Sequence, residues 1–322
     1  MKRYCRIAVL ALLAVSLSPS AALAQTYPEK PVRVIVVYPP GGSNDLTARI
    51  VFQKMSEMIG QQFVIENRGG AAGTIGADVV AKSPADGYTI MVQSASPPAN
   101  AFLYKNLPYD TLNDFIGVSM LIRQVGILMV HPSMPAKSVG ELIALAKKRP
   151  DQIFYGSAGS GSGGHLMMAQ FLSMAGVKMV HVPYRGGSPS MTATVSGEVQ
   201  AIVSIIGPVL SHINAKRVRA LAVTSENRVK EFPEIPAIGE TVPGYEFTAW
   251  VGAFVPAKTS RPIVDKLNAE LKRVLSDPAV TARLSSLTAD PLYTTPDEFM
   301  QRLKSDYAKY KKLIEMTGAK ID

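Results

Sequence analysis

The chain has 322 residues, of which 47% are hydrophobic and 18% charged, a globular composition with length enough for two domains. Beyond the N-terminus, no stretch reaches the roughly 20 consecutive apolar residues that a membrane span requires. The formal net charge is +9, but the basic residues are scattered and form no stripe interleaved with aromatics, which argues against a nucleic-acid partner.

Residues 1–24 read as an export signal. Lys2, Arg3 and Arg6 form a basic n-region, residues 7–17 are apolar apart from Ser16, and Ala22-Leu23-Ala24 is a small-x-small cleavage site before Gln25. Removing those basic residues lowers the net charge from +9 to +6. It also removes Cys5, the only cysteine, which precedes the apolar run and is not a lipid-anchor cysteine. The mature chain is therefore expected to be an exported protein without thiol, disulfide or cysteine metal site. There is no twin-arginine pair, so export of the unfolded chain is expected, which argues against a cofactor loaded in the cytoplasm.

In the mature chain, residues 32–37 are a β-branched run of the kind that forms a buried strand. Pro39 and Pro40 end it. Gly41 and Gly42 permit positive φ and close approach of another molecule. Ser43 or Asn44 is placed to cap a helix over 45–59, with Leu46, Ile50 and Met58 among its apolar positions. Unpaired N–H groups at such a helix start suit an anion, although an ordinary strand-to-helix turn reads the same way. A second strand is expected over 62–67, a glycine-rich loop over 68–73, a short helix over 75–82, and a third strand over 88–92 that ends in the loop Ser94-Ala95-Ser96-Pro97-Pro98. This alternation predicts an α/β fold with a parallel or mixed sheet covered by helices.

Residues 115–130 read as two strands broken at Arg123-Gln124, a candidate crossover between domains. A second series follows. Ser138-Val139-Gly140-Glu141 is a capping box opening a helix to 148. Then come a strand over 153–155, a glycine-serine loop over 156–164, a helix over 165–175, a strand over 179–182, the loop 183–189 and a helix to 196. Strands are expected over 199–205 and 218–223, irregular connection over 226–244, and a strand over 247–255 carrying Trp250. Helices over 262–275 and 296–315 close the chain, the latter opened by Thr295-Pro296-Asp297-Glu298.

The loop Gly156-Ser157-Ala158-Gly159-Ser160-Gly161-Ser162-Gly163-Gly164 is the second focus. Gly159-x-Gly161-x-x-Gly164 satisfies a dinucleotide fingerprint literally, but Tyr184 and Arg185 stand where the ribose-binding acid belongs. With an export signal present, an anion cradle fits better than a nicotinamide site, and no cofactor is expected. A serine hydrolase is the alternative of a different class, acting on a small ester or amide. However, no Gly-x-Ser-x-Gly elbow surrounds Ser157, Ser160 or Ser162. The four histidines are His131, His165, His181 and His212. His165 begins a helix, where it fits either a neutral hydrogen-bond donor or a ring packed on the loop. His131 and His212 read as surface histidines, and no cluster suggests a metal. Arg185 fits a bidentate partner for a ligand carboxylate or a solvated loop arginine.

Taken together, Tyr27-Pro-x-Lys30-Pro31, Pro40-Gly41-Gly42-Ser43-x-Asp45, Glu66-Asn67-Arg68, Gly76-Ala77 and Asp86-Gly87-Tyr88-Thr89 closely resemble the Bug family of periplasmic solute receptors, related to tripartite tricarboxylate transporters. The match continues through Tyr104-Lys105-x-Leu107-Pro108-Tyr109-Asp110, Tyr155-Gly156-Ser157, His165-Leu166 and Val182-Pro183-Tyr184-Arg185-Gly186-Gly187. The resemblance implies a two-lobed, type II periplasmic-binding-protein (Venus-flytrap) fold, with residues 25–123 plus 247–322 as one lobe and 124–246 as the other. It implies a monomeric, non-enzymatic periplasmic receptor for a small carboxylate, serving membrane transporter subunits or a sensor kinase. Its contacting loops would be Pro40, Gly41, Gly42, Ser43 and Asp45; Ser94, Ala95 and Ser96; Gly156, Ser157, Gly159, Ser160 and His165; and Tyr184, Arg185 and Gly186.

Where the family often has acidic residues, this chain has Gln200 and Ser204. On a strand over 199–205, Gln200, Ile202 and Ser204 share a face, and Ser204 lies near the carboxyl end, where ligands gather. A serine there attracts no ligand amine, and Arg49 is placed one helical turn from Asp45 to offset its charge. An amine-free carboxylate is therefore the expected ligand. The mature protein is expected to begin at Gln25; intact-mass measurement of protein from the periplasm checks this, and a retained Met1 would contradict it.

Overall fold

The β-branched runs form the inner strands of one mixed sheet. In the computed structural model, which describes residues 27–94, 96–230 and 232–317, β1 (Val32–Val36) lies parallel between β2 (Phe63–Asn67) and β3 (Thr89–Ser94). The export signal expected over 1–24 lies outside the described residues. Val34 and Val36 pack toward α1 (Ser43–Ile59), and Ile35 and Val37 toward α2 (Thr74–Ala81), so all four are fully buried. The core stripe of α1 runs through Ala48, Val51, Phe52 and Met55 at helical spacing. Ile50 is buried, while Leu46 and Met58, both expected on the apolar face, sit at its margin.

Ser96–Leu103 is a helix, α3, where the sequence suggests a loop. Its prolines occupy the first turn, where a missing N–H removes no intrahelical bond. The next strand, β4 (Phe115–Val130), is one continuous strand of 16 residues rather than the two expected. What changes midway is its partner. Residues 115–125 pair antiparallel with β9 (Thr248–Pro256), which also pairs with β3. Residues 126–130 pair antiparallel with β7 (Ala201–Ile205) and β8 (Arg219–Val223). Beyond β7 lie β5 (Phe154–Ser157) and β6 (Val180–Pro183), all three parallel, and β10 (Ala289–Pro291) pairs with β4 near the changeover. The order β2-β1-β3-β9-β4-β7-β5-β6 thus joins two α/β lobes through a single strand.

Helices α4 (Val139–Lys148), α5 (Gly163–Ala175), α6 (Gly187–Ser196) and α7 (Ile206–Asn214) belong to the second series. The last of these follows β7 without a connecting loop, which the apolar run 201–210 conceals in sequence. Helices α8 (Arg261–Leu275), α9 (Pro278–Ser285) and α10 (Pro296–Thr317) complete the chain. The α10 helix is keyed to the central strands. Phe299 sits on Gly117 of β4 and Gly252 of β9, where a Cβ on Gly252 would come within 2.3 Å of its ring. The Trp250 indole N–H donates to buried Asp306 at 2.7 Å, and Arg302 holds the other carboxylate oxygen at 3.0 Å.

Where β4 changes partners, the returning chain is stitched to it. Thr224 N–H donates to Gly126 O at 2.9 Å, Gly126 N–H donates to Thr224 Oγ1 at 2.8 Å, and Phe247 N–H donates to Thr224 O at 2.8 Å. Thr224 is fully buried. Thr224→Val keeps the shape but leaves the Gly126 N–H unpaired, so a loss of about 1–3 kcal/mol in unfolding free energy is expected by urea titration. An unchanged midpoint would remove the stitch from the list of stabilising contacts.

Candidate functional site

Four helices, α1, α5, α6 and α7, begin around one cavity of about 400 Å³. Its lining takes Gly41, Gly42, Ser43 and Asn44 from the start of α1, and Ser162, Gly163 and Gly164 from the start of α5. The start of α6 contributes Gly186, Gly187 and Ser188, and α7 contributes Ile205, its N-cap, with Pro208. None of the N-cap residues Gly42, Ser162, Gly186 and Ile205 makes a side-chain capping bond. By contrast, α4 is capped by Ser138 and α9 by Asp277. The four starts therefore leave backbone donors and positive dipole ends directed at the cavity. Arg185 and His212 are the basic side chains of the lining, and no Asp or Glu lines it among the described residues. Asn44, Ser162 and Ser190 are buried there, and Asn44 Nδ2, Ser162 Oγ and Ser190 Oγ have no protein partner.

The first turn is braced from behind. Gly41, at φ +81°, donates its N–H to Asp45 Oδ2 at 2.9 Å. Asp45 also accepts from Asn67 Nδ2 at 3.0 Å and Arg49 Nε at 3.0 Å, and Asn67 Nδ2 reaches Tyr38 O at 3.0 Å. Burial alone would raise the Asp45 carboxyl, but bonds from Arg49, the Gly41 N–H and Asn67 outweigh it and hold it below the usual carboxylate range. Ser43, one of the two residues expected to cap α1, instead donates to Gln124 Oε1 and ties the helix start to β4.

The second turn rests on stacked rings. Gly159 N–H donates to Ser157 Oγ at 3.1 Å, and Ser157 Oγ lies 2.7 Å from His181 Nε2. Gly161 N–H donates to His165 Nδ1 at 3.0 Å, so His165 is neutral with its proton on Nε2. The His181 ring is sandwiched between His165, at 4.1 Å, and Tyr155, at 5.0 Å. Burial pushes His165 down to about 4, and burial together with His165 pushes His181 down to about 3. Ser157, in contact with His181, is 1% exposed and lies outside the cavity lining.

Glycines also set how closely the two halves approach. A Cβ on Gly161 would lie 2.5 Å from Leu103 Cδ1 of α3, and one on Gly207 of α7 would lie 2.3 Å from Leu287 O. Across the cavity mouth, a Cβ on Gly186 would meet Pro39 Cγ at 3.5 Å.

Of the residues predicted for the site, Pro40, Gly41, Gly42, Ser43, Ser94, Arg185, Gly186 and Ser204 line the cavity. Asp45, Gly156, Ser157, Gly159, Ser160, His165 and Tyr184 are not in the lining; Asp45, Ser157 and His165 brace the two turns, and Tyr184 donates to Glu198 at 2.7 Å. Gly156 stands where a Cβ would come 2.6 Å from Ser190 Oγ. Ala95 lies outside the described residues, and Ser96 opens α3. Lining residues that were not predicted for the site include Asn44, Gln124, Ser190, Ile202 and His212. Gln124 carried a signal, as the polar interruption of an apolar strand. His212, read as a surface histidine, faces the cavity because α7 starts at the end of β7.

Two α/β lobes joined through one strand, with a cavity ringed by helix starts, define a solute receptor of the periplasmic-binding-protein class. The chain belongs to the family described as tripartite tricarboxylate transporter family receptor, whose model matches residues 47–319. The resemblance to the Bug family is thereby borne out. The chain is 37% identical over 311 residues to the UPF0065 protein in the tcbD-tcbE intergenic region of Pseudomonas sp. (strain P51), covering 95% of this chain and 93% of that one. It is 34% identical over 303 residues to protein BugT of Bordetella pertussis, covering 92% of each. Among solved structures it is similar to R. palustris Rpa4515 with adipate, at TM-score 0.86 and 34% identity over 91% of this chain and 98% of that one. It is also similar to MatC (Rpa3494) of Rhodopseudomonas palustris with bound malate, at TM-score 0.83 and 28% identity over 89% of this chain and 100% of that one.

The stacked histidines give a signed pH dependence. In the unfolded chain both rings take up protons as pH falls through about 6.5. In the folded chain they resist until about 4 and about 3. Stability is therefore undiminished by them above about pH 7 and falls below about pH 6.5, by up to about 1.4 kcal/mol per pH unit for each ring. Urea unfolding at about pH 7 and about pH 5 should show a smaller loss for His181→Gln than for the unsubstituted protein. Equal losses would mean that the rings are protonated in the folded state.

Proposed function

We propose that this protein is a periplasmic receptor that binds a small, amine-free carboxylate between its lobes, closes around it by hinge motion and releases it unchanged. The observation that carries the reading is the convergence of four helix starts without side-chain caps on a cavity with Arg185 and no acidic lining residue. A micromolar ligand needs about 8 kcal/mol. One helix start supplies about 0.3–1 kcal/mol, up to about 2 when partly buried. Hydrogen bonds to a charged group add about 1.5–3 kcal/mol each. One turn alone falls short, whereas the four starts with Arg185 and the unpaired Asn44 and Ser162 side chains reach the required range. The adipate and malate in the related structures agree with a carboxylate.

In this reading one lobe comprises residues 25–123 and 247–322 and the other residues 124–246. The partner change of β4 between Val125 and Gly126 supports that division. The receptor acts as a monomer and presents its cargo to membrane transporter subunits or to a sensor. The absence of a carboxylate beside Ser204 supports the exclusion of amino acids, since a ligand ammonium finds no counter-charge in the lining. Calorimetric titration of ligand-free protein is expected to give tighter binding of succinate than of aspartate, and at least tenfold weaker succinate binding by Arg185→Gln. Tightest binding of aspartate would overturn the charge argument. Chemical conversion of the acid during incubation, read by mass spectrometry, would overturn the receptor reading.

A further inference from the structure

The basic residues are scattered along the chain, but the fold gathers six of them at one end of residues 124–246. Strands β5, β6, β7 and β8 all start there, at the end opposite the cavity. The segments that enter them, residues 147–153, 176–179, 197–200 and 215–218, carry Lys147, Lys148, Arg149, Lys178, Lys216 and Arg217 against Asp151 and Glu198. All six basic residues are exposed. Among the described residues, the one ion pair within 124–246 joins Arg228 to Glu240, so none of the six is paired. Glu198 accepts from the Tyr184 hydroxyl at 2.7 Å. Beside Arg149 lies a groove of about 250 Å³ whose lining includes Met134, Leu145, Gln152, Phe154 and Gln200. Phe154 is 41% exposed although it begins an inner strand. The backbone there is held on both sides. Phe154 N–H donates to Gln200 Oε1 at 2.9 Å, Gln200 N–H to Phe154 O at 2.9 Å, and Val180 N–H to Ile153 O at 2.8 Å.

We propose that this end of the lobe is a docking surface for an acidic segment of a partner protein, with Phe154 and the groove taking an apolar side chain of that segment. Three observations select the occupant. Six exposed cations without ion-pair partners set up a positive potential, which favours an anionic partner. The groove is smaller than the roughly 300–1,000 Å³ of small-molecule sites and suits one side chain of a larger molecule. The charges also flank it. Lys216 and Arg217 precede β8 and Lys178 precedes β6, and the order β8-β4-β7-β5-β6 sets these strands four spacings apart, roughly 19 Å. An extended acidic chain laid across the lobe meets both sets of charges and fills the groove between them. A flat layer of lipid headgroups meets the charges and leaves the groove empty. Strands β5 and β7 are four and five residues long, so the surface lies roughly 13–17 Å from the cavity. It is open to a partner whether the cavity is filled or empty, and the receptor reading does not depend on it.

The test is fluorescence anisotropy of a labelled hexapeptide, Glu-Leu-Glu-Glu-Leu-Glu, titrated with the protein, with circular dichroism to check folding. The unsubstituted protein is expected to bind it, and the affinity to fall about fivefold or more between roughly 50 and 200 mM salt. Lys148→Glu combined with Arg149→Glu is expected to weaken binding about tenfold or more, and Phe154→Ser about threefold or more. The control pair, Lys258→Glu with Lys266→Glu, reverses two exposed charges at and before the start of α8 and is expected to leave the affinity unchanged. No binding by the unsubstituted protein, equal weakening by both charge-reversal pairs, or full affinity in Phe154→Ser overturns the proposal. Sedimentation with phosphatidylglycerol vesicles that is lost in these variants while peptide binding persists would assign the surface to a membrane and overturn it as well. If the Lys148→Glu, Arg149→Glu protein does not fold, Phe154→Ser and Lys178→Glu decide the matter.

Discussion

The structure depends on one strand being shared by two lobes. β4 is paired along its first part by β9 and along its second by β7 and β8, so neither lobe can complete its sheet without it. A strand held on both sides is stiff, and the bonds among Gly126, Thr224 and Phe247 fix the returning chain to it at the changeover. In the receptor reading, relative motion of the lobes would thereby be confined to bending about a short paired segment. The cavity lies beside that segment: Gln124, which lines it, is two residues from Gly126 and is bonded to Ser43 at the start of α1.

Around this axis, the cavity's electrostatics come from backbone more than from side chains. The glycine turns before α1 and α6 and the glycine-serine turn before α5 bring N–H groups to the lining; Arg185 faces it beside the start of α6, whereas Asp45, His165 and His181 lie outside it. Asp45 is consumed by Gly41, Asn67 and Arg49. His165 is kept neutral by burial, and His181 by burial together with His165. The result is a site with positive potential and little fixed charge. It suits an anion that must be both held and released, because ion pairs in addition to the one Arg185 can offer would slow release.

Much of this was legible in the chain. Residues 32–45 and 156–165 announced strand, turn and helix through β-branched runs followed by glycine and serine, and both turns lie at the cavity. The signal was weaker where tertiary context decides. Prolines 97 and 98 read as a loop but fit the first turn of α3, where proline costs no hydrogen bond. Arg123-Gln124 read as a break in a strand, yet the pairing continues, because solvent-exposed Arg123 meets Asp290 while Gln124 turns to Ser43. Asp45 and His165 were recognisable as belonging to the two turns, but which side of a turn a side chain occupies depends on packing that spacing does not encode. His212 had no local signal at all. Its position follows from α7 starting directly at the end of β7, and an apolar run hides that boundary.

The glycines at the contacts between the halves have a consequence for the empty protein. Gly161 against α3, Gly207 against Leu287 and Gly186 near Pro39 bring backbone to the opposing surface with no side chain between. At these points the glycine side of the contact has no rotamer to order, so the approach costs little side-chain entropy. In the receptor reading proposed above, a cargo shifts the open and shut populations only by its difference in affinity for the two. For a carrier of the kind proposed, glycine at these points would let the two surfaces meet and part without side chains to rearrange, so the tempo of loading and delivery would not be throttled there.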